Sequence, residues 1–188
     1  MTETSATYPD PEPEKRDRFL QAMSRAACTV NIVTTDGNAG RHGVTVSAMS
    51  SVSADGECPT LLVCVHHKSP AADAIRQNGV FCVNVLRHDQ ADVSDTFAGR
   101  IRRADGDKFG CAEWQAGRTG APFARRGLVA FDCRVMSAQR VGTHYIFIGE
   151  VEDIYGADEG TPLIYANRTY GRPLPLAPLA PLANGCNA

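Results

Sequence analysis

Gly43-Val44-Thr45-Val46-Ser47-Ala48-Met49-Ser50-Ser51-Val52-Ser53 is the stretch around which this chain is organised. Val44 and Val46 alternate with Thr45 and Ser47, the two-residue period of a strand with one apolar and one hydroxyl-bearing face. A strand that serves only a core has little need of so many hydroxyls. Ser50, Ser51 and Ser53 continue the run with small donors that let a ligand approach the backbone. A flat, polar-edged ring with a phosphate tail needs this kind of surface: N–H and O–H groups along one edge, no bulk, and donors for anionic oxygens. Taken alone, the run reads better as a Ser/Thr-rich edge strand, and the rest of the chain shifts that balance.

Upstream, residues 28–35 are β-branched and strand-like, and Asp36-Gly37-Asn38-Ala39-Gly40 is a turn, so this strand and the Gly43 strand form a hairpin. Residues 15–27 read as a helix with Phe19, Leu20, Met23, Ala26 and Ala27 on one face, preceded by a disordered tail over residues 1–14. Downstream, the turn at residues 55–59 leads into an apolar strand at 60–65, expected to be buried on both faces. His66-His67-Lys68-Ser69-Pro70 then opens a helix: Ser69 suits the N-cap, Pro70 the first helical position, and Asn78-Gly79 the end. Its N-terminus beside Lys68 is the best anion site in the chain, with an ordinary capped helix an equal reading. His66 and His67 read as loop residues beside that site, and His42 and His88 as solvent-facing.

Residues 80–86 make another buried strand, and residues 89–98 a short helix with Val93 and Phe97 inward and Gly99 as its stop. Residues 101–120 form a charged, Gly-rich excursion holding Phe109 and the only tryptophan, Trp114. Strands follow at 127–135, 142–154 and 162–165; the second is apolar on both faces, which fits a barrel wall that also meets a partner subunit. Residues 173–188 are a Pro/Leu/Ala-rich tail, leaving one domain at residues 15–172. Six or more short strands with three short helices indicate a mainly β protein, a closed barrel with helical decoration. No Gly-x-Gly-x-x-Gly follows a strand, which disfavours a Rossmann fold.

Composition narrows the function classes. With 188 residues, 43% apolar, 21% charged and a net charge of -2, the chain gives no reason to expect nucleic acid or a membrane. The acidic, Pro-containing N-terminus is no signal peptide, so a cytoplasmic protein is expected. Seven cysteines show no Cys-x-x-Cys spacing, which argues for reduced thiols and against zinc; Cys64, Cys82 and Cys133 read as buried small hydrophobes. There is no nucleophile–base pair, no paired carboxylates and no metal cluster.

The order of the runs carries a family likeness: Phe19-x-x-Ala22-Met23, Val30-Asn31-Ile32-Val33-Thr34-Thr35, Gly43-Val44-Thr45-Val46-Ser47-Ala48, Ser51-Val52-Ser53, Pro59-Thr60-Leu61-Leu62-Val63-Cys64-Val65, Phe81-Cys82-Val83-Asn84-Val85-Leu86, Phe97-Ala98-Gly99, Phe131-Asp132-Cys133, Gly142-Thr143-His144 and Leu163-Ile164-Tyr165. Over residues 17–172 this resembles the short-chain flavin reductases, the small components of two-component flavin-dependent monooxygenases. The nearest resemblance is to the reductases serving 4-hydroxyphenylacetate hydroxylases and the pyrimidine-degradation monooxygenase.

The resemblance implies a split β-barrel homodimer that binds FAD or FMN non-covalently, reduces it with NADH and releases it to a separate monooxygenase. By position it places the flavin ring edge at Thr45, Val46, Ser47 and Ala48, and phosphate at Ser51, Ser53, Lys68 and Ser69. Phe97, Ala98, Gly99, Lys108 and Phe109 fall near the outer, adenylate end, and His144 near the nicotinamide. Tyr165 and Tyr170 either cover the nicotinamide side or close the barrel. Many members have Gly-Asp-His where this chain has Gly-Thr-His, and a Pro-Pro pair where it has Glu57-Cys58-Pro59. Hydride transfer between two cofactors needs stacking and orientation more than acid–base help, which matches a chain without a catalytic triad. Two rival readings stay open: a non-catalytic flavin carrier, and a split-barrel reductase of another acceptor such as a corrinoid or ferric complex. No basic pocket for the extra phosphate of NADPH is evident, which favours NADH.

Overall fold

The computed structural model describes residues 12–156 and 159–176. The expected terminal tails therefore lie mostly outside the described residues. Among the described residues three α-helices, α1 (Pro13–Met23), α2 (Pro70–Asn78) and α3 (Ala91–Phe97), and one short 3-10 turn decorate strands and loops. A seven-stranded antiparallel sheet holds β2 (Asn31–Thr35), β3 (His42–Val46), β4 (Met49–Ser53), β5 (Thr60–His66), β6 (Val80–Val85), β9 (Val129–Val141) and β10 (His144–Gly156). A small sheet joins β1 (Cys28–Thr29), β11 (Ile164–Ala166) and β12 (Thr169–Gly171), and β7 (Trp114–Ala116) pairs with β8 (Pro122–Ala124).

The large sheet runs β3-β2-β6-β9-β10-β5-β4. Its two end strands, β3 and β4, are consecutive in sequence and joined only by Ser47 and Ala48. A two-residue link cannot cross a flat sheet of seven strands, so the sheet curls until its ends meet. The Gly43–Ser53 stretch is thus two strands flanking the seam of a split barrel, rather than one. Ala48 O accepts from Cys64 N at 3.1 Å, which holds the link against β5.

The inward face is a continuous apolar core including Val33, Val63, Val65, Ile75, Phe81, Val83 and Phe147. β5 alternates, with Leu61, Val63 and Val65 buried and Leu62, Cys64 and His66 half-buried, so the strand expected to be buried on both faces is buried on one. β6 is buried throughout, because β8 lies across it: Asn84 Oδ1 accepts from Ala124 N at 2.7 Å, and its amide donates to Ile32 O at 3.0 Å. The strand expected at 28–35 breaks at Val30, whose N–H donates to Leu163 O while its carbonyl accepts from Leu86 N, each at 3.0 Å. There the chain passes from the small sheet to the large one.

α1 starts at Pro13, inside the segment read as tail, and stops at Met23 rather than residue 27. Its apolar face is not buried: Phe19 is 61% exposed and Met23 52%. α2 and α3 match expectation, with Gly79 at φ 71° ending α2 and with Val93 and Phe97 inward on α3. The long excursion folds into a 3-10 turn at Lys108–Cys111 and the β7–β8 ribbon; its Phe109 and Trp114 pack on Phe97 at ring separations of 5.1 and 5.4 Å. Among the described residues no helix is long and apolar enough to cross a membrane.

Candidate functional site

Two cavities flank the seam and share Thr45, Val46 and Ser47 as a common wall. The larger, about 480 Å³, is otherwise lined by Val44 and Ala48, by Cys64 and His66 of β5, and by Val141, His144 and Ile146 at the β9–β10 end. Its wall is mostly apolar, with imidazoles at one side and the Ser47–Ala48 link at the other. The smaller, about 190 Å³, adds Val30, Ser94, Ala98, Arg100, Tyr165 and Tyr170. β3 ends the large sheet, so one row of its backbone N–H and C=O groups is not used by the ladder.

Within the shared wall, side chains divide by role. Thr45 Oγ1 donates to Ser94 O at 2.7 Å, so this hydroxyl ties β3 to α3 instead of facing a ligand. Val46 is buried, while Ser47 and Ala48 are exposed to the cavities. Cys64 was expected in the core but lines the larger cavity; burial pushes its thiol up, which keeps it protonated at neutral pH.

At the cavity's far side, His144 and His66 are direct cross-strand partners on β10 and β5. Their rings meet edge to face at 5.0 Å, and His67 stacks on His66 at 4.9 Å. His144 Nδ1 lies 3.0 Å from Thr143 Oγ1. Partial burial, then the neighbouring His66 and His67, push the His144 pKa down, so its ring is neutral at neutral pH. His66 is therefore a strand residue in the cavity wall, not the loop residue expected; its register opposite His144 could be read only once β5 was known to pair with β10.

The remaining expected contacts separate. Ser53 pairs with Thr60 at one end of β5, whereas Lys68 and Ser69 follow His66 at the other. Those ends are about 20 Å apart at roughly 3.3 Å per residue. Ser51, Ser53, Lys68 and Ser69 of one chain therefore do not hold a single phosphate. Lys68 and Ser69 adjoin the imidazoles of the larger cavity; Ser51 and Ser53 run away from it, and Ser53 Oγ donates to Asp55 O at 3.2 Å. Ser69 makes no side-chain cap to α2, which leaves the first-turn N–H groups of that helix without it.

Phe97 is buried against Gly43 and does not face a cavity. Lys108 Nζ donates to Phe97 O at 3.0 Å, and Arg41 lies over the Phe109 ring at 5.5 Å. Of the expected outer-end residues, Ala98 alone lines either of these two cavities; Gly99, at φ 77°, turns the chain after α3. Tyr165 and Tyr170 both line the smaller cavity. Tyr170 OH donates to Asp95 Oδ1 at 2.7 Å and accepts from Arg100 at 3.3 Å. Arg100 was not singled out in the sequence; it follows Gly99 in a charged segment, and only the β11–β12 hairpin folding back onto α3 places it here.

Comparison with known proteins decides what this arrangement belongs to. The family model described as flavin reductase like domain matches residues 23–173. The chain belongs to the flavin reductase like family. Similar family members include an FMN reductase (NADH), RutF, of Stutzerimonas stutzeri, 41% identical over 158 residues, with 84% of this chain and 88% of that one covered. RutF 2 of Methylorubrum extorquens is 42% identical over 161 residues, covering 86% and 91%. Among solved structures, BorF, the flavin reductase component of a bacterial two-component tryptophan halogenase, superimposes with a TM-score of 0.74 at 32% identity, covering 84% of this chain and 97% of that one.

The flavin reductase like site also fits a flavin on its own geometry. The larger cavity offers flat apolar walls from Val44, Val46, Cys64 and Ile146, a small Ser47–Ala48 edge, and an unpaired backbone row on β3. Ring stacking and hydrogen bonds to a polar ring edge ask for that combination.

Proposed function

We propose that this chain is an NADH-dependent flavin reductase that takes FMN and releases reduced flavin to a separate monooxygenase. The observation that carries the reading is the seam cavity, which joins flat apolar walls and unused backbone donors to the imidazoles of His66 and His144. The flavin supplies, when bound, the hydride-accepting chemistry. The protein's part is to orient. Val46, Ser47 and Ala48 hold the ring edge, and β3 backbone N–H groups stabilise negative charge there. Lys68, Ser69 and the first turn of α2 receive the phosphate. His144, neutral, positions the nicotinamide. Relatives named FMN reductase (NADH) support FMN and NADH, and relatives named as reductase components of a halogenase and a styrene monooxygenase support delivery to a second protein.

The same reading includes a homodimer. Phe19 and Met23 on α1, and Met136 at 58% exposure on β9, leave apolar surface for a second copy to cover. Sedimentation giving an active monomer at micromolar concentration would remove this part of the proposal.

The decisive experiment is NADH oxidation by purified protein with excess free FMN, FAD or riboflavin, repeated with NADPH. Many turnovers per protein with FMN and NADH are expected. Oxidation limited to one equivalent would make the chain a flavin carrier instead.

A further inference from the structure

We propose that His66 is a specificity-determining residue that donates a hydrogen bond from Nε2–H to the carboxamide oxygen of the nicotinamide. The inference rests on the reading of the larger cavity as the nicotinamide and flavin site. Lys68 N–H donates to His66 Nδ1 at 3.1 Å. That nitrogen is an acceptor, so the ring carries its hydrogen on Nε2. The ring is held on both sides, stacked on His67 at 21° between planes and set edgewise to His144 at 79°. His67 is itself fixed, because its Nδ1 lies 3.0 Å from Thr143 O, a group that only accepts, and its backbone N–H donates to the same carbonyl at 2.9 Å.

Among the side chains of this wall, His66 is the one whose donor position is set by a backbone N–H on its other ring nitrogen. Val44, Val46, Ala48, Val141 and Ile146 are apolar, Cys64 is a weak donor, and the Ser47 hydroxyl is a rotor. The Thr45 hydroxyl is committed to Ser94 O, and His144 Nδ1 faces the Thr143 hydroxyl, which can donate or accept and so does not fix that ring's tautomer. A nicotinamide ring in an apolar slot presents one strong acceptor, its carboxamide oxygen. A buried donor discriminates sharply between a substrate that pairs with it and an analogue that does not.

The test compares NADH with thionicotinamide adenine dinucleotide (reduced), whose sulfur accepts hydrogen bonds poorly. His66→Asn keeps an acceptor for Lys68 N–H but draws the donor back from the Nε2 position; His66→Gln restores a donor near it. His66→Asn should weaken NADH in kcat/KM, and NAD⁺ in titrated Kd, by about two- to tenfold, the range of one hydrogen bond. The thio analogue should change by less than about twofold, so the preference for NADH collapses. His66→Gln should recover most of it, and FMN Kd should stay constant in both. Equal losses for both donors, or a loss confined to FMN, overturn the proposal. If His66→Asn does not fold, His66→Phe, which keeps a flat ring without a donor, carries the same comparison. Wild-type protein that oxidises no NADH with any flavin would instead defeat the functional reading itself.

Discussion

The hydroxyl of Thr45 donates to the carbonyl of Ser94 across 2.7 Å, joining the end of β3 to the middle of α3. A residue that sequence placed at the ligand edge is thus a bolt between two elements. Thr45→Val keeps the shape of both cavity walls and removes only this bond. Because Ser94 O also accepts from Ala98 N, it is not orphaned by the change. The loss should be about 0.5–1.5 kcal/mol of stability in a denaturant titration, with FMN affinity altered less than about twofold. A large drop in FMN affinity at unchanged stability would return Thr45 to the ligand.

Gly43 is required by Phe97. A Cβ built there would stand 2.5 Å from Phe97 Cε1, inside a fully buried aromatic packed by Phe109 and Trp114. Gly43→Ala should therefore destabilise by about 1–3 kcal/mol. Adding Phe97→Leu should give a smaller total loss than the two single losses summed, since the second change removes the clash. Strict additivity in the double-mutant cycle would show that the strand shifts instead.

The depressed pKa of His144 fixes a direction with pH. In the folded chain its ring resists protonation, mainly through burial and then through His66 and His67. As pH falls below the ordinary imidazole value, the unfolded chain takes up this proton and the folded chain does not. Stability from this group is therefore full above that value and declines below it, down to the lowered folded pKa. Replacing His66 and His67 by Asn should raise the His144 pKa part of the way back. Histidine-resolved NMR titration reads this directly, and an unmoved midpoint would leave burial as the sole cause.

Ser69→Asp tests the phosphate end. Asp is as good an N-cap as Ser, so α2 should keep its stability. Its charge should repel the phosphate, weakening FMN by at least about tenfold while riboflavin changes less than about twofold. Equal weakening of both flavins in fluorescence titrations would place the phosphate elsewhere.

Much of the scaffold could be read from local pattern. Pro70 opening α2 and Gly79 closing it, Val93 and Phe97 turned inward, and the β2–β3 hairpin are all set by proline and glycine backbone preference, turn chemistry and period, which act over a few residues. What could not be read is what depends on pairing partners distant in sequence. Nothing local says that β3 and β4 separate to opposite ends of a sheet, that His66 lands opposite His144, or that Tyr170 returns to Asp95. The family resemblance puts phosphate at Ser51 and Ser53, on a run of hydroxyls that reads as one surface. The link at Ser47–Ala48 divides that row between two strands.

The position of that link makes ligand occupancy and barrel closure one event. Whatever fills the larger cavity touches β3 on one side of the split and β5 and β10 on the other, so it acts as a clasp. Each factor of ten in ligand above its dissociation constant then adds about 1.4 kcal/mol against opening. Amide exchange in β3 and β4 should slow together on loading, while exchange in β6, buried on both sides, stays as it was.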